Sequence, residues 1–145
     1  MATVLTMGTF DLPHPGHIAL FRECRKLSGP DGKVVVAVNR DGFVAKFKHK
    51  TPVMTCAERM EVIRSIRYVD EVVDNTGTDQ PYLIESHKPD WIAIGVDWAG
   101  RDYYGQLGIS PEWLRERGIS LAYLAHEATA MVSTTQLRVR LEEGR

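Results

Sequence analysis

The sequence has little of several features that would assign a small protein to a specialised class. Only two of its 145 residues are cysteines, Cys24 and Cys56. They lack metal-site spacing, so we expect reduced structural thiols. No apolar stretch approaches the ~20 residues of a spanning helix, and the start lacks the basic and apolar regions of a leader. With 18 basic and 19 acidic residues, the chain has no net charge that would favour nucleic acid or a membrane surface. We therefore expect a cytoplasmic protein that binds neither.

The composition is that of an ordinary globular protein. Hydrophobic residues make up 43% of the chain and charged residues 26%, which argues against disorder. A chain of this length fits one domain, 1–145, and buries ~68–70% of its unfolded surface without help from a metal or disulfide. Repeats, low-complexity segments and linkers are not found in the sequence.

Short apolar runs alternate with amphipathic segments along the chain. Five runs are predicted to be buried strands, at 3–8, 33–39, 69–73, 91–96 and 119–124. Five segments are predicted to be helices, at 16–27, 55–66, 79–87, 110–117 and 133–143. Residues 40–52 are predicted to be irregular and basic. The alternation predicts an α/β fold with one Rossmann-like, doubly wound, parallel five-stranded sheet, in which ligands bind beyond the carboxyl ends of the strands.

The most unusual local chemistry follows the first predicted strand. Residues 8–17 read Gly-Thr-Phe-Asp-Leu-Pro-His-Pro-Gly-His, with His14 and His17 three apart at a helix start. That offset puts both imidazoles on one face of the first turn, and Gly16 lets a ligand approach the backbone. Two imidazoles at a helix N-terminus suit a phosphate group. Two alternatives are open: one histidine caps the helix and the other is exposed, or the pair binds zinc, although no third ligand is placed to complete that site.

Four motifs in order resemble the small nucleotidyltransferases, and among them most the glycerol-3-phosphate cytidylyltransferases. They are the first-loop segment 8–17, Glu58-Arg59 with 66–72, the segment 95–98 and the segment 132–138. The resemblance spans nearly the whole chain and implies the nucleotidylyltransferase superfamily fold. It implies transfer of a nucleotidyl group from a nucleoside triphosphate to a phosphorylated small alcohol or sugar, with release of pyrophosphate. CTP is the favoured donor. The alternative is an adenylyltransferase that uses ATP on a phosphorylated sugar or cofactor precursor. Mg²⁺ is the expected cofactor, and a homodimer is expected.

The resemblance also implies roles for individual residues. The catalytic set is His14, His17, Lys46 and Arg59. The nucleotide-binding set is Gly8, Thr9, Phe10, Gly16, Arg67, Ser133, Thr134, Thr135 and Arg138. The acceptor-binding set is Asp11, Lys48, Asp97 and Trp98. Asp11 has two other interpretations, as a Mg²⁺ ligand or as an Asx-turn residue before a proline.

Two departures from the cytidylyltransferase pattern bear on the substrates. Ala128 stands where the pattern has arginine and Met131 where it has glycine, which puts the choice of base in question. The segment 100–108 is longer than in the smallest members and predicts a larger acceptor pocket, so a phosphorylated sugar, polyol or aminoalcohol is as plausible as glycerol 3-phosphate. The alternative of another class is a nucleotide-binding module without catalysis.

Overall fold

The computed structural model describes residues 1–48, 51–96, 100–125 and 134–144, with the backbone alone for 47, 48, 134 and 135. Five strands form one parallel sheet in the order β3-β2-β1-β4-β5. They are β1 Thr3–Gly8, β2 Lys33–Asn39, β3 Glu71–Asn75, β4 Trp91–Gly95 and β5 Ser120–Leu124. The predicted α/β doubly wound architecture is confirmed.

Seven helices lie in the described ranges. They are α1 Pro15–Ser28, α2 Asp41–Lys48, α3 Cys56–Arg64, α4 Gln80–His87, α5 Tyr103–Leu107, α6 Pro111–Glu116 and α7 Thr134–Glu142. Of the helices that these ranges contain, none combines the length and the apolar character needed to cross a bilayer. Five of the seven match predicted helices to within one or two residues at each end, whereas α2 and α5 were not predicted.

The sheet is buried on both faces, which explains why β2 reads as an unbroken apolar run. Leu5, Val35 and Ile92 belong to one core cluster, together with residues of α4, α5 and α6. Val34 and Val36 belong to the other, on the face that α1 and α3 cover. A strand covered by helices on both sides buries its even and odd positions alike, so alternation disappears from its sequence.

The prediction for residues 40–52 is wrong because a short helix forms within them. Val44 of α2 is only 2% exposed. The ring of Phe43 lies so close to Gly77 that a Cβ there would come within 2.4 Å of it. The helix is stabilised by these tertiary contacts, and eight residues containing Gly42 are too few to show a helical period.

The predicted third strand is displaced by two residues, from 69–73 to Glu71–Asn75. The cause is Asp70, whose carboxylate accepts a hydrogen bond from the Val34 N–H at 2.7 Å and pairs with Arg25. This residue therefore ties the amino-terminal edges of β2 and β3 together before the strand begins.

The two thiols are both free, as expected for structural cysteines. Cys24 is fully buried against the sheet, and burial together with the charge of Glu23 raises its pKa to about 12. Cys56 is half-buried, and burial is the largest cause that raises its pKa. Neither environment generates a reactive thiolate.

The strand order identifies where the topology leaves a crevice. The chain runs from β1 outward through β2 to β3, then returns to the other side of β1 as β4. The loops after β1 and β4 thus diverge to opposite faces of the sheet at the carboxyl end of β1. Open α/β sheets bind their ligands at this switch point, and the two histidines follow it directly.

Candidate active site

His14 and His17 stack at the N-terminus of α1. Their ring centroids are 3.8 Å apart with an interplanar angle of 27°. His14 is the N-cap, and its Nδ1 accepts a hydrogen bond from the Gly16 N–H at 3.0 Å. The Nδ1 of His17 accepts from the backbone N–H of His14 at 3.3 Å. In the neutral rings the proton is therefore on Nε2 of each, and both Nε2 atoms are donors. His14 caps the helix, as one alternative expected, but His17 is half-buried and completes a capping box with it, so the second histidine is not exposed.

The backbone between β1 and α1 is held in an unusual conformation. Phe10 and Leu12 have φ values of 52° and 48°, in the left-handed region that side-chain-bearing residues rarely adopt. The Phe10 ring makes edge contacts with His17 at 5.4 Å and with Phe21 at 5.1 Å. It also lies against Gly8, where a Cβ would come within 2.9 Å of the ring. The Phe10 ring is thus buried against His17, and its predicted contact with nucleotide stays a prediction.

Asp11 anchors this loop to two other segments. Its carboxylate accepts hydrogen bonds from the N–H groups of Val53 at 2.8 Å, and of Met54 and Leu12 at 3.0 Å. Arg138 of α7 donates to it at 2.9 Å. Burial would raise the Asp11 pKa, but the Met54 and Val53 N–H groups and the Arg138 guanidinium outweigh it and hold the pKa below the usual 3.8. The carboxylate is therefore ionised and engaged within the chain.

Arg59 of α3 is fully buried beneath the same loop. Its guanidinium donates to the carbonyl oxygens of Thr9 at 2.6 Å, Asn39 at 2.9 Å and Met54 at 3.0 Å. Its Nη2 also pairs with the Asp41 carboxylate at 2.6 Å. Arg59 thereby joins the ends of β1 and β2 to the starts of α2 and α3. These contacts give Arg59 the function of positioning the loop. Its predicted contact with a phosphate group stays a prediction.

The structure does not bring Arg67 to the histidines of its own chain. Arg67 is exposed just before β3, at the amino-terminal edge of the sheet, where it stacks on Tyr68 with its Cζ 5.2 Å from the ring centroid. Lys46 is exposed on α2. The predicted homodimer stays a prediction.

Several predicted site residues lie outside what the structure describes. Three are not described at all, and three have a described backbone without a side chain. The first group is Asp97, Trp98 and Ser133, and the second is Lys48, Thr134 and Thr135. The substitutions at positions 128 and 131 also fall outside the described residues.

A chain of buried amides on the other side of the loop was missed by the sequence analysis. Asn39 and Asn75, each the last residue of its strand, and Gln80 at the start of α4 are between 2% and 8% exposed. The Asn75 Nδ2 donates to Asn39 Oδ1 and to Gln80 Oε1, both at 3.1 Å. Gln80 Nε2 donates to the Gln106 carbonyl at 2.8 Å, and Asn39 Nδ2 to Thr9 Oγ1 at 3.4 Å. The sequence did contain a signal for this chain of amides, because two neighbouring strands each end in an asparagine.

Two of these amides, Asn39 and Gln80, line a pocket of about 100 Å³ at the carboxyl ends of β1 and β4. The lining residues are Met7, Gly8, Thr9, Asn39, Phe43, Gln80, Ile94, Tyr103, Gln106 and Leu107. Tyr103 and Leu107 come from α5, so the segment 100–108 does contribute to a pocket wall.

A larger apolar groove of about 580 Å³ lies outside the Asp11–Arg138 pair. It is lined by Leu12, Pro13, Met54, Val62, Leu137, Arg140 and Leu141. The described residues around the first loop thus offer two different environments for an organic ligand. One is a small amide-walled pocket, and the other is a wide apolar groove.

Comparison with known proteins agrees with this geometry. The profile of the family described as cytidylyltransferase-like matches residues 5–140. The FAD synthase of Methanothermobacter thermautotrophicus is 42% identical over 97 residues, which are 67% of this chain and 64% of that protein. The FAD synthase of Methanobrevibacter ruminantium is 35% identical over 125 residues, which are 86% of this chain and 79% of that protein.

One solved structure is also similar. The lipopolysaccharide core biosynthesis protein from Thermoplasma volcanium has a TM-score of 0.68 and 27% identity, over 87% of this chain and 98% of that one. The chain spans less than two thirds of the FAD synthases of M. thermautotrophicus and Methanothermobacter marburgensis, at 64% and 58% of their lengths.

Proposed function

The chain belongs to the cytidylyltransferase-like family of nucleotidyltransferases, and on that premise we propose that it transfers the adenylyl group of ATP to FMN, forming FAD and pyrophosphate. The relatives named FAD synthase support this assignment, at 35–42% identity in the two described above. An adenylyl donor and a phosphorylated flavin acceptor are the parts from which FAD is made.

The choice of ATP reverses the donor that the resemblance favoured on three segments, the first loop, residues 67–72 and the Asp97–Trp98 pair. The relatives favour adenylyl transfer, the alternative, over cytidylyl transfer. The sequence supports the same change, because Ala128 and Met131 replace the arginine and glycine of the cytidylyltransferase pattern in a stretch implied to hold the base.

The observation that carries the proposal is the stacked histidine pair at the start of α1. In the reaction, a phosphate oxygen of FMN attacks the α-phosphorus of ATP. The new oxygen–phosphorus bond forms as the bond to the pyrophosphate oxygen breaks, and the leaving group carries its electron pair away as pyrophosphate. The Nε2–H groups of His14 and His17 and the helix N-terminus can stabilise the negative charge that grows on the transferring group.

Because the attack is in line, we expect the two substrates to bind on opposite sides of the first loop. The attacking and leaving oxygens lie on opposite sides of the phosphorus. The histidines and Arg138 lie on the α1 side of the Gly8–Thr9 segment, which suits the triphosphate. The uncharged pocket lined by Asn39 and Gln80 lies on the other side, so we assign the acceptor to it.

Mg²⁺, expected from the resemblance, has no protein cage among the described residues. No group of three or more His, Cys, Asp or Glu side chains there could hold a metal ion. The Asp11 carboxylate is engaged by N–H donors and Arg138. Mg²⁺ commonly binds through substrate phosphates and water, with few protein ligands, and we assign it no residue of the described part of this chain.

The test is product identification. Purified protein is incubated with Mg²⁺, FMN and either ATP or CTP, and the products are separated and weighed by mass spectrometry. We expect FAD and pyrophosphate with ATP, and at most a trace of the cytidine analogue with CTP. Product formed with CTP but not with ATP would contradict the proposal. Product formed with glycerol 3-phosphate as acceptor but not with FMN would contradict it too.

A further inference from the structure

The amide chain has a fixed direction that its hydrogen-bond partners determine. Gln80 must present Nε2 to the Gln106 carbonyl, because a carbonyl oxygen only accepts. Its Oε1 therefore faces Asn75, which uses one N–H on Gln80 and the other on Asn39. The Asn75 Oδ1 accepts from the Gly77 N–H at 3.0 Å, which fixes the orientation of this central amide.

The two amides that line the pocket keep hydrogen-bonding capacity beyond this chain. A side-chain amide has two N–H donors and two lone pairs on its oxygen. Asn39 donates one bond and accepts one within the chain, and Gln80 does the same. Each can therefore offer one further donor and one further acceptor, the combination that matches a hydroxyl group.

The pocket is small, and its polar wall suits a chain of hydroxyl groups. Its volume is about 100 Å³, against about 580 Å³ for the apolar groove outside the Asp11–Arg138 pair. Thr9 lines the pocket and its Oγ1 accepts a hydrogen bond from Asn39. With the acceptor phosphate assigned to the first loop, the part that enters the pocket is the chain attached to that phosphate. In FMN that chain is a polyol, with one hydroxyl on each of three successive carbons.

We infer that Asn39 and Gln80 bind the hydroxyl groups of a phosphorylated polyol chain, and that Asn75 is a positioning residue that fixes the orientation of both. The inference rests on the proposed function where it takes FMN as the acceptor. It deepens that proposal by assigning the acceptor's polyol phosphate, and not its ring, to the amide-walled pocket.

The experiment measures binding of three probes separately by calorimetry, namely FMN and two of its parts. Ribitol 5-phosphate carries the chain without the ring, and lumiflavin carries the ring without the chain. We expect ribitol 5-phosphate to bind the wild-type protein and lumiflavin to bind it at least ~10-fold more weakly. ATP affinity is measured separately by calorimetry.

The variant Asn75→Leu removes the donors of the central amide without adding a charge and with little change in size. Asn39 and Gln80 then lose the partner that fixes their orientation. We expect the Kd for ribitol 5-phosphate to rise by about 10-fold, as losing one or two hydrogen bonds predicts, while the Kd for ATP stays within about twofold. Gln80→Met, which keeps the length but not the hydrogen bonds, is the second variant if Asn75→Leu does not fold.

The matched control is Ser28→Ala, at the opposite end of the sheet. Ser28 is 1% exposed and its hydroxyl donates to a backbone carbonyl, so its loss lowers the melting temperature. We expect both affinities to stay unchanged in this control.

Four outcomes would overturn the inference or its premise. Equal loss of ATP and polyol affinity in the Asn75 or Gln80 variant would show a merely structural role, and unchanged polyol affinity would overturn the inference alone. Wild-type protein that binds ribitol 5-phosphate but not FMN would overturn the proposed acceptor and leave the amide assignment supported by the variants. Wild-type protein that binds neither would overturn both.

Discussion

The two sides of the Gly8–Thr9 segment differ in the kind of polar group they use. On the α1 side the loop is held by ionised groups, with the Asp11 carboxylate against Arg138 and the Arg59 guanidinium beneath. On the other side the polar groups are neutral amides that run from Asn39 to Gln80. The difference suits an in-line transfer, in which a highly charged triphosphate and a weakly charged acceptor meet from opposite directions.

The largest effect should follow from removing a histidine on the charged side. His17→Ala is expected to lower turnover by on the order of 10²–10⁴, because an Nε2–H donor to the transferring phosphoryl group is lost. Steady-state rates and the melting temperature are the measurements. His87→Ala, on α4 away from the first loop, is the matched control and should keep wild-type turnover. Wild-type rates in folded His17→Ala would remove His17 from the mechanism.

The next effect concerns stability and separates two interpretations of Arg59. Arg59→Met leaves three carbonyl oxygens without their donor, so we expect a loss on the order of 3 kcal/mol of unfolding free energy. For a domain of this size that lowers the melting temperature by roughly 6–12 °C.

Arg64→Met is the control for that variant, since Arg64 is an exposed residue of the same helix, and we expect a change within ~0.5 kcal/mol. An unchanged melting temperature in Arg59→Met, with a raised KM for ATP, would instead support the direct phosphate contact that the resemblance implies.

A smaller effect tests the Asp11 anchor through pH. Because its pKa lies below 3.8 in the folded chain, ionised Asp11 stabilises the fold at neutral pH, and that contribution is lost as pH falls through about 4 and below. Asp11→Asn is expected to lower stability at pH 7 by about 1–3 kcal/mol.

Thermal unfolding at pH 7 and pH 3 measures this effect, and the difference in stability between the two proteins should be smaller at pH 3. Asp31→Asn, in an exposed turn, is the control and should follow the wild type at both values. A difference between Asp11→Asn and wild type that is equally large at pH 3 would contradict the anchor.

The sheet and the first loop were predictable because their signals are local. The apolar run 33–39 predicted β2 to the residue, and the offset of three between His14 and His17 predicted their shared face. Helix α2 was not predictable, because Phe43 and Val44 are helical through contacts with distant residues such as Gly77.

The roles of Asp11 and Arg59 also depend on contacts that sequence spacing does not show. Asp11 contacts Val53 and Met54, 42 and 43 residues away, and Arg59 contacts Thr9 across 50. A motif identifies such residues as important, but only the fold shows which atoms they bind. The amide chain differs, because no motif identifies its members. Each is an ordinary polar residue in the sequence, and only the fold brings the ends of β2 and β3 and the start of α4 together.

The most direct test of the two-sided site is a crystal structure with FMN and a non-hydrolysable ATP analogue bound together. The account predicts triphosphate oxygens within hydrogen-bonding distance of Nε2 of His14 and His17, and the FMN polyol chain against Asn39 and Gln80. A flavin seated in the apolar groove between Leu12 and Leu141, with the amide-walled pocket unoccupied, would contradict it.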